Sequence, residues 1–420
     1  MHILIMAQCY APEDVSAAVL ITELATDLAR RGHSVTVVTG APSYPQGSVF
    51  PGYKNQLYAA EMIQNVRVIR TWSFISPSKK IWPRLLHYGS YSASAFYGGL
   101  FSGRPDVIVS FSPPLPLGLT AGLLSRIFRV PWLLQIEDLF PDAAVAAGVM
   151  RNKKVINFFL GMEKFLYKHA DRITVISQGF KETLLKKKVP TSKIELIPVW
   201  ADPDVVRPMR KDNNFRQRFG FDEKFIVMYA GNIGLTSCLE DVLRAAEILQ
   251  GKKDIQFVLI GEGVKKAALE AEMLDRRIKN MLFLPYQPRE DFPEILAAAD
   301  VSLVTLNADA ALSSMPSKIF NIMASARPIL AISPPGCEIM RIVETAGCGR
   351  NVPPQMPEQL AETILQLRAC ETELFEMGQN GRICLEKNYS RKYCVDAYEK
   401  MLITLCDQSK SEVVQLQEVP

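Results

Sequence analysis

Residues 2–40 read HILIMAQCYAPEDVSAAVLITELATDLARRGHSVTVVTG and contain a complete strand–helix–strand unit. The apolar runs at 2–7 and 34–39 each predict a buried strand. The segment between them carries apolar residues near the 3.6-residue helical period, at Val19, Leu20, Leu24 and Leu28. Because the connections are short, the unit is βαβ and its strands are parallel.

The same alternation of strand and helix continues outward from this unit. Further buried strands of the first half are predicted at 107–111, 132–136, 173–176 and 194–197. The alternation starts afresh in the second half, with strands at 225–230, 255–260, 281–284, 301–304 and 329–332 and helices at 239–249 and 317–325. The sequence therefore predicts an α/β protein of two Rossmann-like, doubly wound domains, with the carboxyl ends of both sheets facing a cleft.

The composition predicts where these domains begin and end. We expect an N-terminal domain over 1–200 and a second domain over 225–385. Residues 201–224 carry prolines and dense charge, which is typical of a linker. A C-terminal helix is expected at 386–406, packing back on the N-terminal domain, followed by a loose polar tail at 407–420.

Charge and sequence motifs exclude several classes of protein. Residues 1–200 carry a net charge of +9 and the remainder −5, so the first half favours an anionic partner, although chance could also give this split. No dinucleotide fingerprint or P-loop occurs, and no nucleic-acid partner is expected. The eight cysteines and four histidines form no metal-binding pattern. With no signal peptide and no apolar stretch of membrane-spanning length, we expect a cytoplasmic protein with reduced thiols.

Two segments after predicted strands could bind a diphosphate. Residues 229–240, YAGNIGLTSCLE, bring backbone N–H groups close to a ligand through their glycines. Residues 312–324, LSSMPSKIFNIMA, place Ser317 and Lys318 at a helix start, where donors, charge and dipole combine. The alternative is a plain capped helix with a solvated lysine. Gly-Glu-Gly at 261–263 is a weaker candidate, equally consistent with a tight turn.

A third segment, residues 134–142 (LQIEDLFPD), gathers carboxylates at a strand end of the first domain. Glu137 and Asp138 are candidates for a general base or for positioning an acceptor hydroxyl, and Asp138 is preferred to Asp142 because it lies nearer the strand end. Asp142 is a candidate on the acceptor side, although an N-cap role for it is also favoured.

With these segments, the chain resembles glycosyltransferase family 4, the retaining nucleotide-sugar transferases of the GT-B fold. The resemblance extends to about residue 400 and follows six motifs in order: YAPED at 10–14, RGHSVTVV at 31–38, YPQG at 44–47, DLFPD at 138–142, GNIG at 231–234 and PSK at 316–318. These look most like the branch of colanic-acid and N-acetylfucosamine transferases. The resemblance implies retention of configuration, no required metal or other cofactor, and a nucleotide-sugar donor, a UDP-sugar foremost, bound by the second domain.

The resemblance also implies which residues meet each substrate. On the donor side are Gly231, Asn232, Gly234, Ser237, Gly261, Glu262, Ser314, Ser317, Lys318 and Asn321, and on the acceptor side are Ser16 and Asp142. The sequence departs from the family where Asn232 and Ser237 replace the usual arginine and lysine. The family's paired glutamates fall on Ser313 and Asn321. These losses shift phosphate binding onto Lys318 and backbone N–H groups.

Cations and aromatic residues are mixed in the first domain, over 78–97 and 151–168. This pattern favours an anionic membrane surface at the inner face of the plasma membrane, or else a buried aromatic core with solvated lysines. We expect transfer to a saccharide or polyprenyl-diphosphate-linked acceptor in surface polysaccharide or O-antigen assembly. A nucleotide-sugar 2-epimerase and a decayed sugar- or partner-binding protein remain as alternatives. The sequence does not indicate the oligomeric state.

Overall fold

The structure is a computed structural model that describes residues 1–78, 81–146, 148–311 and 313–417. Three residues of the motifs above, Lys79, Lys80 and Leu312, lie outside the described residues. The chain divides into two compact units. Unit 1 comprises residues 1–198 and the chain from Cys394 onward, and unit 2 comprises Val199–Tyr393.

Unit 1 is built on an eight-stranded sheet. Its strands are β1 (His2–Met6), β2 (Ser34–Gly40), β3 (Ala59–Ile63), β4 (Val66–Thr71), β5 (Val107–Ser112), β6 (Trp132–Ile136), β7 (Arg172–Val175) and β8 (Ile194–Leu196). Their order across the sheet is β3-β4-β2-β1-β5-β6-β7-β8, and every neighbouring pair is parallel except β3 with β4. The chain order reverses between β1 and β5, which is a topological switch point.

Six helices of unit 1 connect these strands: α1 (Ser16–Arg30), α2 (Ile81–Leu100), α3 (Leu115–Phe128), α4 (Asp142–Ala146), α5 (Lys153–His169) and α6 (Gln178–Lys186). The central strand β1 pairs with β2 and β5 and is buried on both faces, which explains its uninterrupted apolar run.

Unit 2 has a six-stranded, wholly parallel sheet in the order β11-β10-β9-β12-β13-β14. The strands are β9 (Phe225–Ala230), β10 (Ile255–Ile260), β11 (Met281–Leu284), β12 (Val301–Thr305), β13 (Ile329–Ile332) and β14 (Gly349–Val352). Its helices are α7 (Asn214–Phe219), α8 (Leu239–Leu249), α9 (Lys266–Asp275), α10 (Phe292–Ala298), α11 (Lys318–Ala324), α12 (Glu338–Ala346), α13 (Pro357–Arg368) and α14 (Glu371–Asn388). The switch point here lies between β9 and β12.

The final helix, α15 (Arg391–Gln417), belongs to unit 1 from Cys394 onward. Its buried side chains include Val395, Tyr398 and Leu402, and the Tyr398 hydroxyl donates to Gln135 Oε1 on β6 at 2.6 Å. The prediction of a loose tail from residue 407 is wrong for residues 407–417, which continue helix α15 to Gln417.

Residues 201–224, expected to form a linker, lie inside unit 2 and contain α7. Phe215 and Phe221 are buried against Ile226 of β9, and Arg216 between them is also buried. The charge of Arg216 is satisfied internally, since its guanidinium donates to Asp300 and to the carbonyls of Ala298, Phe221 and Lys224. A charged residue therefore contributes to the packed core.

Candidate functional site

The loops that follow β9 and β10 meet backbone to backbone in unit 2. Gly231 N donates to the Ile260 carbonyl at 2.9 Å. Gly261 has φ of +148°, and a Cβ at this position would lie 1.9 Å from the Gly231 carbonyl oxygen. A side chain at Gly261 is therefore excluded by both conformation and space. Two of the predicted donor-side glycines are adjacent at the carboxyl end of the sheet.

The loop between β9 and α8, residues 231–238, is called the glycine loop below. Its backbone packs on the segment that leads into α9. Ile233 N donates to the Glu262 carbonyl at 2.8 Å, and Lys265 N donates to the Ile233 carbonyl at 3.1 Å. Lys265 Nζ also donates to the Ser237 carbonyl at 2.9 Å and pairs with Glu240 at 2.8 Å. Lys265 is not among the predicted site residues, although a cation two residues after Gly-Glu-Gly is a usable signal.

Lys318, the first residue of α11, lies at the switch point beside β9. Its Nζ is 3.6 Å from the centroid of the Tyr229 ring, a cation–π contact. A Cβ on Gly231 would approach Nζ to 2.5 Å, so glycine is required where the lysine passes. Burial lowers the pKa of Lys318 to about 7, and no carboxylate among the described residues offsets this. The site thus holds a cation without a counterion.

Asn307, in the loop after β12, forms hydrogen bonds to the glycine loop. Its backbone N donates to the Thr236 carbonyl at 2.9 Å, and its Nδ2 donates to the Leu235 carbonyl at 3.2 Å. Its Oδ1 accepts from Ala310 N at 3.1 Å. This positioning residue was not predicted, although an asparagine directly after an apolar strand is a common loop former.

The other residues predicted on the donor side differ in solvent exposure. Asn232 and Glu262 are exposed, and Glu262 pairs with Lys266. Ser314 and Asn321 are half-buried on either side of the Lys318 position. All of them remain candidates for contact with a ligand.

Two serines depart from their predicted geometry. Ser237 is buried and donates its hydroxyl to the Gly234 carbonyl at 2.7 Å, so it stabilises its own turn rather than presenting a free donor. Helix α11 begins at Lys318, one residue later than predicted, because Ser317 is the N-cap residue. The Ser317 side chain makes no capping bond to the helix.

In unit 1, Glu137 and Asp138 follow β6 directly and are half-buried. Glu137 N donates to the Ser112 carbonyl at the end of β5, 2.9 Å away, which fixes the backbone. Burial raises the pKa of Asp138 to about 6. Burial and the neighbouring Asp138 charge raise the pKa of Glu137 to about 8. At neutral pH the pair therefore combines one mainly ionised carboxylate with one mainly protonated carboxyl.

Arg84 of α2 faces these carboxyls, and the sequence analysis had grouped it with a membrane surface. The Arg84 charge acts against burial to lower the pKa of Asp138. Its Nε donates to the Tyr88 hydroxyl at 2.9 Å. Tyr88 and Tyr91, in the segment predicted as either a membrane surface or a buried aromatic core, are both buried because α2 packs this side on the sheet, and Tyr91 donates its hydroxyl to the Ala7 carbonyl.

The loop after β1 also ends near this site. The buried Glu13 carboxylate accepts backbone N–H bonds from Tyr10, Ser43 and Tyr44. Burial, together with the charges of Glu13 and Glu137, raises the pKa of the Cys9 thiol, which keeps it protonated. Ser16, a predicted acceptor residue, is the first residue of α1.

Asp142, predicted either on the acceptor side or as an N-cap residue, forms an ion pair within unit 1. It is the first residue of α4 and pairs with Lys187 Nζ at 2.5 Å. Lys187 also binds the buried Glu163, at 2.7 Å. Asp142 therefore joins α4 to α5 and to the residue that follows α6.

Within the described part of the chain, no group of three or more histidine, cysteine or acidic residues is arranged to hold a metal ion. In the same residues, no helix combines the length and apolar character that crossing a bilayer requires.

Two family models match the chain. Residues 17–200 match the glycosyl transferase 4-like domain, and residues 211–383 match glycosyl transferases group 1. A probable glycosyltransferase, WbjE of Pseudomonas aeruginosa, is 32% identical over 73% of this chain and 76% of its own length. The putative colanic acid biosynthesis glycosyl transferase WcaI of Escherichia coli K12 is 29% identical over 87% of this chain and 92% of its own.

Solved structures share the fold. Sucrose-phosphate synthase from Thermosynechococcus elongatus superposes with a TM-score of 0.76 at 18% identity, covering 96% of this chain and 99% of its own. HepE of Anabaena, solved in complex with UDP, gives a TM-score of 0.72 at 14% identity, covering 96% of this chain and 100% of its own. The predicted GT-B fold of two α/β domains is thereby confirmed.

Proposed function

The chain belongs to glycosyltransferase family 4, in the branch that contains the colanic-acid transferases, and from this membership we propose a specific reaction. The enzyme transfers a sugar from a UDP-sugar, with retention of configuration, to a saccharide linked to polyprenyl diphosphate. Its product enters bacterial surface polysaccharide or O-antigen assembly, at the cytoplasmic face of the membrane. The proposal extends to this chain the process named for its relative WcaI.

The observation that carries the proposal is the uncompensated cation at Lys318. The Lys318 side chain is half-buried and desolvated, and an ammonium there without an acid partner costs folding free energy, which a ligand phosphate offsets. Nearby Lys265 is already paired with Glu240, so Lys318 is the better candidate for binding the diphosphate. The glycine loops beside it leave room for the same phosphates, because Gly231 and Gly261 carry no side chain. The N–H groups of these two glycines already donate to the Ile260 and Leu284 carbonyls, so the Lys318 charge carries the larger share of phosphate binding. That HepE was solved with UDP supports this choice of ligand.

Asp138 is proposed to orient the acceptor hydroxyl. As a mainly ionised carboxylate it accepts a hydrogen bond from that hydroxyl, while the protonated Glu137 beside it can donate one to the saccharide. In retaining transfer the leaving diphosphate itself can take the acceptor proton. Asp138 therefore positions the nucleophile and lowers the barrier without being the sole base.

We expect Asp138→Asn to reduce transfer by roughly tenfold to a hundredfold, because the amide accepts a hydrogen bond less strongly and can point its NH₂ group at the acceptor. UDP affinity, measured by calorimetry, should stay unchanged. Asp275→Asn, at an exposed carboxylate of α9 in unit 2, is the matched control. Full activity in Asp138→Asn would remove its acceptor role.

We also expect UDP binding to weaken as the pH rises above about 7. Below the free-enzyme pKa of Lys318, near 7, the ammonium is already charged and affinity is constant. Above it, each bound diphosphate must draw in a proton, so affinity falls by up to about tenfold per pH unit. Calorimetry at about pH 8 in buffers of different ionisation enthalpy should report uptake of about one proton. A flat profile, or one retained in Lys318→Met, would contradict this linkage.

The reaction as a whole is tested by incubating the protein with UDP-, GDP- and dTDP-sugars and bacterial membrane extract, followed by mass spectrometry. We expect one donor to lose its sugar to a lipid-linked product. Release of nucleotide and an altered free sugar without any acceptor would instead indicate an epimerase, and binding without turnover would contradict the proposal.

A further inference from the structure

Three neighbouring helices of unit 1 form a broad outer face that the proposed reaction does not use. We name α2, α3 and α5 (Ile81–Leu100, Leu115–Phe128 and Lys153–His169) the helical platform. We propose that the helical platform lies flat on an anionic lipid bilayer. The inference rests on the proposed function in one respect, since it brings the enzyme to a membrane-borne acceptor, but it is argued and tested independently.

The three helices are packed tightly enough to act as one surface. A Cβ on Gly99 of α2 would lie 2.4 Å from Leu124 Cδ1 of α3. A Cβ on Gly118 of α3 would lie 2.8 Å from Leu166 Cδ1 of α5. Small residues at both contacts let the helix backbones approach closely, so the helices lie side by side in the order α2-α3-α5.

Each helix of the platform exposes a stripe of large apolar side chains at helical spacing. On α2 these are Trp82, Leu86, Tyr97 and Leu100, on α3 Leu119, Leu123 and Ile127, and on α5 Phe158 and Phe165. Trp82 is 65% exposed and Phe158 63% exposed. Exposed apolar residues scattered singly need no explanation, but stripes on three adjacent helices indicate a surface that is covered in use.

The charge of the platform is almost entirely positive. Glu163 is the only acidic residue in the three helices, and it is buried and bound to Lys187. The exposed cations are Arg84 on α2, which faces Asp138, Arg126 on α3, and Lys153, Lys154, Lys164 and Lys168 on α5. Apolar stripes bordered by lysine and arginine are the arrangement of a protein surface that enters the headgroup region of anionic lipid.

The same charge distribution disfavours a second copy of the chain as the binding partner of the helical platform. A two-fold dimer would set this surface against itself, bringing cation-bearing helices together without carboxylates to pair with them. Trp82 and Tyr97, by contrast, are residue types that favour the membrane–water interface. The chemistry therefore favours a bilayer.

The test is co-sedimentation of the full chain with vesicles of phosphatidylcholine alone or mixed with phosphatidylglycerol. We expect binding that requires phosphatidylglycerol and weakens as salt is added. The variant Lys154→Glu, Lys164→Glu and Lys168→Glu should lower partitioning by about a hundredfold, and Leu123→Ser, Phe158→Ser and Phe165→Ser by at least about tenfold.

Matched controls come from exposed residues of unit 2. Lys252→Glu, Lys253→Glu and Lys279→Glu, or Leu274→Ser with Phe375→Ser, should bind vesicles like the wild type. Wild-type protein that stays in the supernatant with anionic vesicles would overturn the proposal, as would platform variants that still bind fully. A concentration-dependent dimer that is lost in the Leu123, Phe158 and Phe165 variant would assign the surface to a second copy instead.

Calorimetry with UDP separates this inference from the proposed function. Platform variants should keep wild-type UDP affinity while losing vesicle binding. Vesicle binding by a protein that transfers no sugar would contradict the proposed function alone, and sugar transfer by a protein that ignores vesicles would contradict the platform alone.

Discussion

Replacement of Lys318 by methionine is expected to weaken UDP binding by roughly tenfold to 150-fold, which corresponds to losing about 1.5–3 kcal/mol from one charge-assisted contact. Methionine keeps the volume over the Tyr229 ring and removes only the charge. Calorimetric titration with UDP measures the loss, and transfer activity should fall with it. Lys252→Met, an exposed lysine of the same unit, is the control.

The same variant should be at least as stable as the wild type. Because the pKa of Lys318 is lowered below its ordinary value, the unfolded chain binds more protons than the folded one between about pH 7 and pH 10.5. Stability therefore rises with pH across this window in the wild type, and Lys318→Met should lack that contribution. Loss of binding together with a lower melting temperature would indicate that Lys318 is a packing residue, and unchanged UDP affinity would remove its phosphate role.

Arg216→Met is expected to lower the free energy of unfolding of unit 2 by about 3–5 kcal/mol. The guanidinium is buried, and its loss leaves the Asp300 carboxylate and three backbone carbonyls with fewer donors. Asp300 also accepts from Ile226 N at 2.8 Å, so the pair joins α7 to the start of β9.

Urea unfolding monitored by a unit 2 reporter measures this effect, because two units need not unfold in one transition. Arg368→Met is the matched control: its side chain and that of its partner Asp254 are 39% and 40% exposed, and such a solvent-screened ion pair is worth about 0–1 kcal/mol. If Arg216→Met cost no more than that control, the internal network would not be what holds α7 in place. The double variant Arg216→Met with Asp300→Leu should recover part of the loss, since it removes both buried charges.

Most of the strands that the sequence predicted are buried on both faces, because apolar runs report burial directly. The exceptions are the edge strands β8 and β11. Strands β3 and β4 escaped prediction since they carry Glu61, Arg67 and Arg70 within a short hairpin. Arg70 is buried there and donates to the Gly40 and Ala11 carbonyls. A charge that finds partners through the fold cannot be distinguished from a solvated one by sequence alone, and the same reason explains the misplaced linker around Arg216.

The candidate site was predictable where Gly231 and Gly261 stand directly after strands and where Lys318 begins a helix. Its supporting residues were not, because Arg84, Lys265 and Asn307 reach it from other elements. Arg84 comes from the start of α2, about fifty residues before Asp138 in the sequence, and only the sheet order brings them together.

The return of α15 to unit 1 has a consequence for biosynthesis. During translation the first 198 residues emerge long before Tyr398 and Leu402, which fill the core of the same unit. Until α15 has emerged from the ribosome, Gln135 lacks its Tyr398 partner and the apolar face that α15 covers is open to chaperones or to aggregation. Unit 2, continuous in sequence, can finish folding first. Unit 1, although it contains the N-terminal half of the polypeptide, is therefore the unit that completes its folding last.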